Sequence, residues 1–348
     1  DADDHKQEPR DDAPEGFVRL FLVPDVEGVN KTAVEAEIAN KMAEITSDNQ
    51  WSGENKEIKT LTLEHHMAAR RGGFNDFFEP LYQVSKFKTG LLDGTLSGIS
   101  FFSQQVLPLV KSLQTKNEFA VAQIVKKYSP LVTTDALKTS ESPLGEIRKS
   151  DAAVKSLFSL WDDDHDPSLI DCLKSIAASG LFAIPDIFAP ILSRGDSVED
   201  DTEPDDSAET SDNDSNIDAW DKALSVPFSQ LESYVQYISD KSQFGTHQGI
   251  KGLQFPRVMV VLDDNEARGF MFSYDKLLGV RALTSTDQQN IQEGRETSID
   301  RTRRLFYVIC SRSQSSLAVV VYTKEKQKIV DHLHNLEWFD DNEIIELG

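Results

Sequence analysis

The stretch Arg257-Val258-Met259-Val260-Val261-Leu262 decides the fold, because its β-branched and apolar residues predict a strand directly after a glycine-rich loop. Three further stretches also predict strands: Phe17–Pro24, Ile58–Leu63 and Ser316–Tyr322. A helix is predicted after the first of these three, since Thr32-Ala33-Val34-Glu35 is a capping box. Strand, helix, strand and a second helix near His66 form a βαβα unit, which implies a parallel sheet.

The middle of the chain differs, because residues from about Tyr82 to Asp240 show helical periodicities and almost no strand signal. A sheet that is interrupted by a helical insertion and then resumes is the simplest account of this order. We therefore predict an α/β fold in which a parallel-sheet domain is interrupted by a mostly helical inserted domain. The predicted segments are a disordered acidic N-terminus at 1–15, the sheet domain at 16–81 and 241–348, and the helical domain at 82–240.

An acidic segment lies within the predicted helical domain. Residues 196–218 are dense in Asp and Glu and contain no Lys or Arg. Such a segment repels itself and cannot bury a core, so we interpret it as a disordered loop or linker. The functional alternative is an acidic segment that mimics DNA and covers a basic channel.

Composition excludes several classes of protein. The chain has 348 residues with 59 Asp or Glu against 36 Lys or Arg, and its formal net charge is -23, which argues against a generic nucleic-acid coat. Cys172 and Cys310 do not resemble a secreted disulfide framework, so we expect a reducing cytoplasm. No apolar stretch is long enough to span a membrane. Because the sequence begins with Asp1 and has no signal peptide, we expect it to be a piece of a longer protein.

The loop before the deciding strand reads Gly245-Thr246-His247-Gln248-Gly249-Ile250-Lys251-Gly252-Leu253-Gln254-Phe255-Pro256. A loop of this composition at the edge of a parallel strand is where an α/β fold usually meets a ligand, and its backbone N–H groups can face phosphate. It is not a Walker A sequence, because Lys251 is followed by Gly252. The rest of the sequence offers no Walker A and no clear Asp-Glu magnesium motif, so this chain alone is not expected to hydrolyse ATP.

A second cluster, Arg301-Thr302-Arg303-Arg304-Leu305-Phe306-Tyr307-Val308-Ile309-Cys310-Ser311-Arg312, predicts the last helix before the final strand. Its apolar residues share one face that can pack on the sheet, while Arg304 and Arg312 lie near the same side. Arginine placement alone leaves two interpretations open, a solvated basic helix and an arginine that contacts phosphate.

Together the two clusters resemble the superfamily 1 helicases of the UvrD, PcrA and Rep group. The fifth motif of that family is matched in register by Thr246, His247, Lys251, Gly252, Leu253, Phe255 and Pro256. The sixth is matched by Arg303, Arg304, Leu305, Tyr307, Val308 and Arg312, with Ser311 in place of Thr. The resemblance implies that the sheet domain is the second RecA-like domain of a motor, and that the helical domain is its insertion.

Roles for individual residues follow from the resemblance. Arg312, with Arg304, is implied to stabilise charge that develops on the γ-phosphate. The nucleotide is implied to contact Gln254, Gly252 and Arg70. Single-stranded DNA, or the link between DNA and nucleotide, is assigned to Thr246, His247 and Lys251.

The chain differs from the resembled family at three positions. The third is Arg301, in a segment that is often acidic in the family, and the first two bear on the nucleotide. Glu64 stands directly after the second strand, where the family commonly has an arginine that reaches the γ-phosphate, and Arg70 or Arg71 is the candidate substitute. Gln254 stands where the family usually has a glutamate bonded to the ribose, and it can make a weaker neutral hydrogen bond.

The resemblance implies ATP and Mg²⁺ as cofactors, bound mainly by an upstream RecA-like domain of the same protein. The implied partners are single-stranded or partly duplex DNA and a possible nuclease; we expect no membrane and assign no metal site within this chain. The leading hypothesis is an ATP-dependent DNA translocase or helicase. The alternative is a degenerate helicase-like subunit that binds DNA or serves as a scaffold without ATPase activity.

Overall fold

A computed structural model of the protein describes residues 15–53, 56–194, 208–250, 252–269 and 271–348. The predicted N-terminal segment 1–15, apart from its last residue, lies outside the described residues, and so does Lys251. The chain divides into two compact units. One comprises the sequence up to Arg71 together with Gln243–Gly348, and the other is Gly72–Ser242.

The discontinuous unit contains a parallel sheet. Its first segment supplies β1 (Phe17–Pro24), α1 (Lys31–Thr46), β2 (Lys59–Thr62) and α2 (His65–Arg71). Asn30 begins α1 by accepting a hydrogen bond from the Ala33 N–H, so the N-cap lies two residues before Thr32 of the predicted capping box.

The other unit is built from helices in its described residues, and its boundary at residue 72 lies ten residues before the predicted one. These helices are α3 (Asn75–Gln83), α4 (Lys88–Asp93), α5 (Ser97–Phe101), α6 (Leu107–Gln114), α7 (Glu118–Tyr128), α8 (Thr134–Thr139), α9 (Pro143–Phe158), α10 (Leu169–Ser179), α11 (Ala189–Arg194), α12 (Ala208–Leu224) and α13 (Phe228–Ile238). A π-helical turn, Phe102–Val106, joins α5 to α6.

One prediction for this unit needs correction. Residues 208–218 of the acidic segment are helical, as the first part of α12, whereas 196–207 lie outside the described residues. The buried Trp220 packs edge-on against Phe188, and Gly98 lies where a Cβ atom would meet both rings. This apolar anchoring explains how a helix can begin in a strongly acidic sequence.

The second segment of the sheet unit completes its fold. It supplies β3 (Phe244–Thr246), β4 (Phe255–Leu262), α14 (Tyr274–Leu277), α15 (Ser285–Gln292), α16 (Ser298–Cys310), β5 (Ser313–Thr323), α17 (Lys326–Leu336) and β6 (Ile344–Glu346). The six strands are all parallel, in the order β3-β2-β4-β5-β1-β6. The prediction of an α/β fold with a parallel sheet is confirmed.

Both faces of the sheet are buried, as the continuous apolar runs of its central strands require. On one face, Val260 and Val319 pack with residues of α2, α14, α16 and α17. On the other, Val261 and Val320 pack with α1 and with the buried Trp51. No helix in the part of the chain that the structure describes is long and apolar enough to span a membrane.

Because all strands run in one direction, the sheet has two chemically distinct edges. Gln254 and Arg312 come directly before β4 and β5, at the N-terminal edge. The residues after β2, β3 and β4 lie at the C-terminal edge. The eight residues of β4, at about 3.3 Å each, separate these edges by roughly 26 Å.

Candidate functional site

At the N-terminal edge, the two stretches that resemble helicase motifs meet at Arg312. Its Nε donates to the Val308 carbonyl (2.9 Å), one turn earlier in the chain, and its Nη1 donates to the Leu253 carbonyl (3.2 Å). The Phe255 N–H returns a hydrogen bond to the Arg312 carbonyl (2.8 Å). The end of α16 and the loop before β4 therefore form one surface.

The positive charge of Arg312 is not neutralised by a carboxylate of any described residue. Its third contact runs from Nη2 to the Ser311 hydroxyl (2.9 Å), so the three side-chain bonds all end on neutral oxygens. The side chain is half-buried. An arginine that is held by neutral acceptors retains its charge for an anionic ligand.

Gln254 lies on the same surface and is exposed. Its Oε1 atom accepts a hydrogen bond of 3.4 Å from Gln314 Nε2, on β5. Two residues earlier Gly252 has φ +81°, a left-handed conformation in which side chains are strained. This turn directly precedes Leu253, whose carbonyl accepts the hydrogen bond from Arg312.

Arg304 lies elsewhere on α16. Its side chain is 58% exposed and forms an ion pair with Glu296, which also approaches Arg301 (3.7 Å). Arg312 lies eight positions after Arg304 and two residues beyond the end of α16 at Cys310. The structure therefore places Arg304 on a solvated face that carries its own counter-ion, apart from the Arg312 surface.

Thr246 ends β3 at the opposite edge of the sheet and is 7% exposed. Its hydroxyl and its carbonyl both accept hydrogen bonds from the Gly249 N–H (3.1 Å each), which closes the turn after the strand. The hydroxyl thus shapes the loop.

His247 is fully buried, which corrects the expectation that its ring faces DNA directly. Its Nε2 atom lies 3.2 Å from the Leu61 carbonyl, which can only accept, so this nitrogen carries the proton. Nδ1 then accepts from the Tyr274 hydroxyl (2.9 Å). Burial lowers the pKa of His247 to about 3 and keeps the ring neutral. Of the two roles that the resemblance implies, direct contact of the ring with DNA does not fit this burial, and a link between DNA and nucleotide stays a prediction.

Arg70 and Arg71 lie at the C-terminal edge, so the structure does not bring them together with Arg312 and Gln254. The half-exposed Arg70 reaches Glu266 at 3.4 Å. Arg71 is buried between Glu35 (2.9 Å) and Glu266 (3.1 Å). Its charge is already compensated.

Glu64, where the resembled helicases commonly have an arginine, caps a turn at the same edge. Its carboxylate accepts from the backbone N–H groups of Arg268 (3.0 Å) and Gly269 (2.5 Å) and lies 3.2 Å from His66 Nδ1. Burial alone would raise its pKa, but the contacts with His66 and Gly269 outweigh burial and lower it. The charged carboxylate therefore fixes the chain after β4.

A buried ionic network at this edge was missed by the sequence analysis. Lys31, at the start of α1, bonds to Asp263 directly after β4 and lies 3.4 Å from Glu266. Burial raises the pKa of Asp263 despite this bond, whereas attraction by Arg71 outweighs burial and lowers the pKa of Glu266. The acidic pair Asp263-Asp264 after an apolar strand was an available signal. Within the described residues, no three His, Cys, Asp or Glu side chains are grouped as metal ligands.

Comparison of the chain with models of known protein families finds no match, and comparison with curated proteins finds none either.

Proposed function

We propose that this chain acts as the second RecA-like domain, with an inserted helical domain, of an ATP-dependent translocase or helicase on single-stranded or partly duplex DNA. The observation that carries the proposal is the junction at Arg312. Two stretches that are about fifty residues apart, and that separately resemble the fifth and sixth helicase motifs, bond to each other through Leu253, Phe255 and Arg312.

The residues at this junction fit an anionic nucleotide. Arg312 keeps an uncompensated charge among the described residues, and the exposed Gln254 beside it offers an amide for a neutral hydrogen bond. Phosphoryl transfer depends mainly on positioning and on charge stabilisation. In this proposal Arg312 supplies charge stabilisation, and a separate domain with a Walker A sequence supplies the phosphate-binding lysine and the Mg²⁺ ligands.

The other edge supports a role for the loop after β3 in contacting or sensing DNA. Thr246 and Gly249 hold the start of the loop in a closed turn, and His247 anchors it to the sheet. Lys251 follows in the same loop and belongs to the proposed DNA contact by resemblance. Cytoplasmic location and a possible nuclease partner are further parts of the proposal, and they rest on the resemblance and the composition.

The second candidate is a helicase-like subunit that binds DNA or serves as a scaffold without ATPase activity. Glu64 favours it, because a carboxylate fixed to Arg268 and Gly269 replaces the arginine that family members use. Arg70 and Arg71 favour it as well, since both point to Glu266.

The experiment that separates the candidates is ATP turnover by the complete reading frame, with its Walker A domain, in the presence and absence of single-stranded DNA. A motor shows DNA-stimulated turnover that disappears in Arg312→Ala. Absence of turnover from a protein with an intact Walker A sequence contradicts the motor and leaves the scaffold. DNA binding by the 348-residue chain is a separate readout, and its affinity is expected to fall as salt rises.

A further inference from the structure

Helix α14 is short, its residues Tyr274 and Leu277 are buried, and it lies next to helix α16. Asp264, just after β4, caps it by accepting from the Ser273 hydroxyl (2.8 Å) and the Tyr274 N–H (3.0 Å). The Ser273 N–H donates to the Thr302 hydroxyl (2.9 Å), which in turn donates to the Ser298 carbonyl within α16 (2.7 Å). The start of α14 is thus bonded both to the sheet and to α16.

Tyr274 extends this connection to the loop. The side chain is 2% exposed, and its hydroxyl donates to Nδ1 of the fully buried His247. The two rings meet edge-to-face with centroids 5.6 Å apart. The Tyr274 ring also packs against Phe306 of α16, with the ring centroids 6.3 Å apart. One side chain therefore contacts both sequences that resemble helicase motifs.

We infer that Tyr274 is a positioning residue that couples the loop after Thr246 to helix α16, and through α16 to Arg312. The inference rests on the proposed function and assigns its regulation: occupation of the loop by single-stranded DNA changes the placement of Arg312. A buried, fully bonded connector suits this role because His247 cannot move without breaking a bond to Leu61 or to Tyr274. Tyr274 does not touch the nucleotide or DNA in this scheme.

The test is Tyr274→Phe in the complete reading frame, which removes the hydroxyl and keeps the ring contact with Phe306. We expect basal turnover and the DNA concentration for half-maximal stimulation to stay within about twofold of the wild type. Maximal stimulated turnover is expected to fall about tenfold, the size of effect that one coupling bond produces. A merely structural role would not separate these parameters.

Tyr322→Phe is the matched control. Tyr322 is also buried (3% exposed), and its hydroxyl lies 3.1 Å from Glu35 Oε1, on the other face of the sheet. This variant is expected to retain stimulation. Equal stimulation in the wild type and Tyr274→Phe overturns the inference and leaves the proposed function intact. A wild type with turnover that DNA does not stimulate, or with no turnover, removes the proposed function and the inference with it.

A second measurement uses the 348-residue chain and needs no turnover. Nitrogen-15 spectra of the histidine rings at pH 6, with His247 assigned by difference from His247→Gln, should show a neutral ring protonated on Nε2. Loss of the Tyr274 hydroxyl should shift the Nδ1 signal of His247. Protonation on Nδ1, or an Nδ1 signal that Tyr274→Phe leaves unmoved, contradicts the connection.

Discussion

The two edges of the sheet hold arginines in opposite electrostatic situations. At the N-terminal edge, Arg312 donates to carbonyl and hydroxyl oxygens, and no carboxylate of a described residue neutralises it. At the C-terminal edge, Arg71 is buried between two carboxylates, Glu35 and Glu266. Because a buried charge must be compensated, the second arrangement is complete without a ligand, while the first is left with a charge to offer.

The comparison favours Arg312 as the candidate for contact with an anionic ligand. Ligands of open α/β sheets usually bind beyond the carboxyl ends of the strands, and that rule alone would select the edge with Arg70, Arg71 and Lys31. Here the internal ion pairs of that edge use its positive charges. Charge accounting therefore selects Arg312, although general fold considerations point to the other edge.

The largest expected effect is on turnover by Arg312→Ala in the complete reading frame. Loss of an arginine that stabilises a transferring phosphoryl group costs about a thousandfold or more in turnover. Steady-state ATPase assays with saturating single-stranded DNA measure this loss. Arg295→Ala is the matched control, since Arg295 is 58% exposed and pairs with Glu293. Near-normal turnover in Arg312→Ala would show that the uncompensated charge has no catalytic role.

Arg71→Ala tests the ion pairs of the C-terminal edge through the stability of the protein. Removing one partner of a buried ion pair leaves uncompensated charge, and we expect the free energy of unfolding to fall by about 3–5 kcal/mol. Urea denaturation of the 348-residue chain measures the change. Arg70→Ala should cost less than about 1 kcal/mol, because its side chain is 47% exposed. Equal losses in the two variants contradict the distinction between a buried and an exposed arginine at this edge.

The buried His247, at the C-terminal edge, makes the free energy of unfolding depend on pH. Its pKa is lowered from 6.5 to about 3 by burial, so the unfolded state binds the proton more readily than the folded state between these values. Stability is therefore lost as the pH falls from 6.5 toward 3. Between about pH 6 and about pH 5, the free energy of unfolding should fall in the wild type by more than about 1 kcal/mol beyond its fall in His247→Gln.

Urea denaturation at the two pH values provides the measurement, and carboxylates that titrate in both proteins cancel in the difference. His334→Gln is the control for the loss of an imidazole, because His334 is 41% exposed and its replacement leaves the buried ring of His247 in place. If His247→Gln keeps the full slope of the wild type, His247 is not buried in a neutral form.

The fold was largely predictable because its signals are local. The apolar run Phe17–Pro24 has the predicted bounds, and the predicted stretch Arg257–Leu262 lies within β4. β3 and β6 were not predicted, since each has three residues and depends on a neighbouring strand for its hydrogen bonds.

The site was predictable in its residue types and not in its contacts. The Arg71–Glu266 pair joins positions 195 residues apart, and His247 finds its partner Tyr274 across 27 residues. Such contacts have no sequence periodicity, so burial could not be anticipated for His247, nor neutralisation for Arg71. Arg312 could be singled out because each of the two stretches that meet there is contiguous in sequence, and its role stays a prediction.

The smallest expected effect tests the ribose contact that is assigned to Gln254 at the N-terminal edge. Gln254→Glu places a carboxylate where the resembling family commonly has one, and an ionised acceptor forms a stronger hydrogen bond than a neutral one. We expect the KM for ATP to fall about threefold to tenfold in the complete reading frame, with kcat within about twofold. Gln314→Glu is the control, because Gln314 lies beside Gln254 and introduces the same charge on the same surface. If both variants raise the KM alike, repulsion between the added carboxylate and phosphate dominates, and the ribose contact assigned to position 254 is wrong.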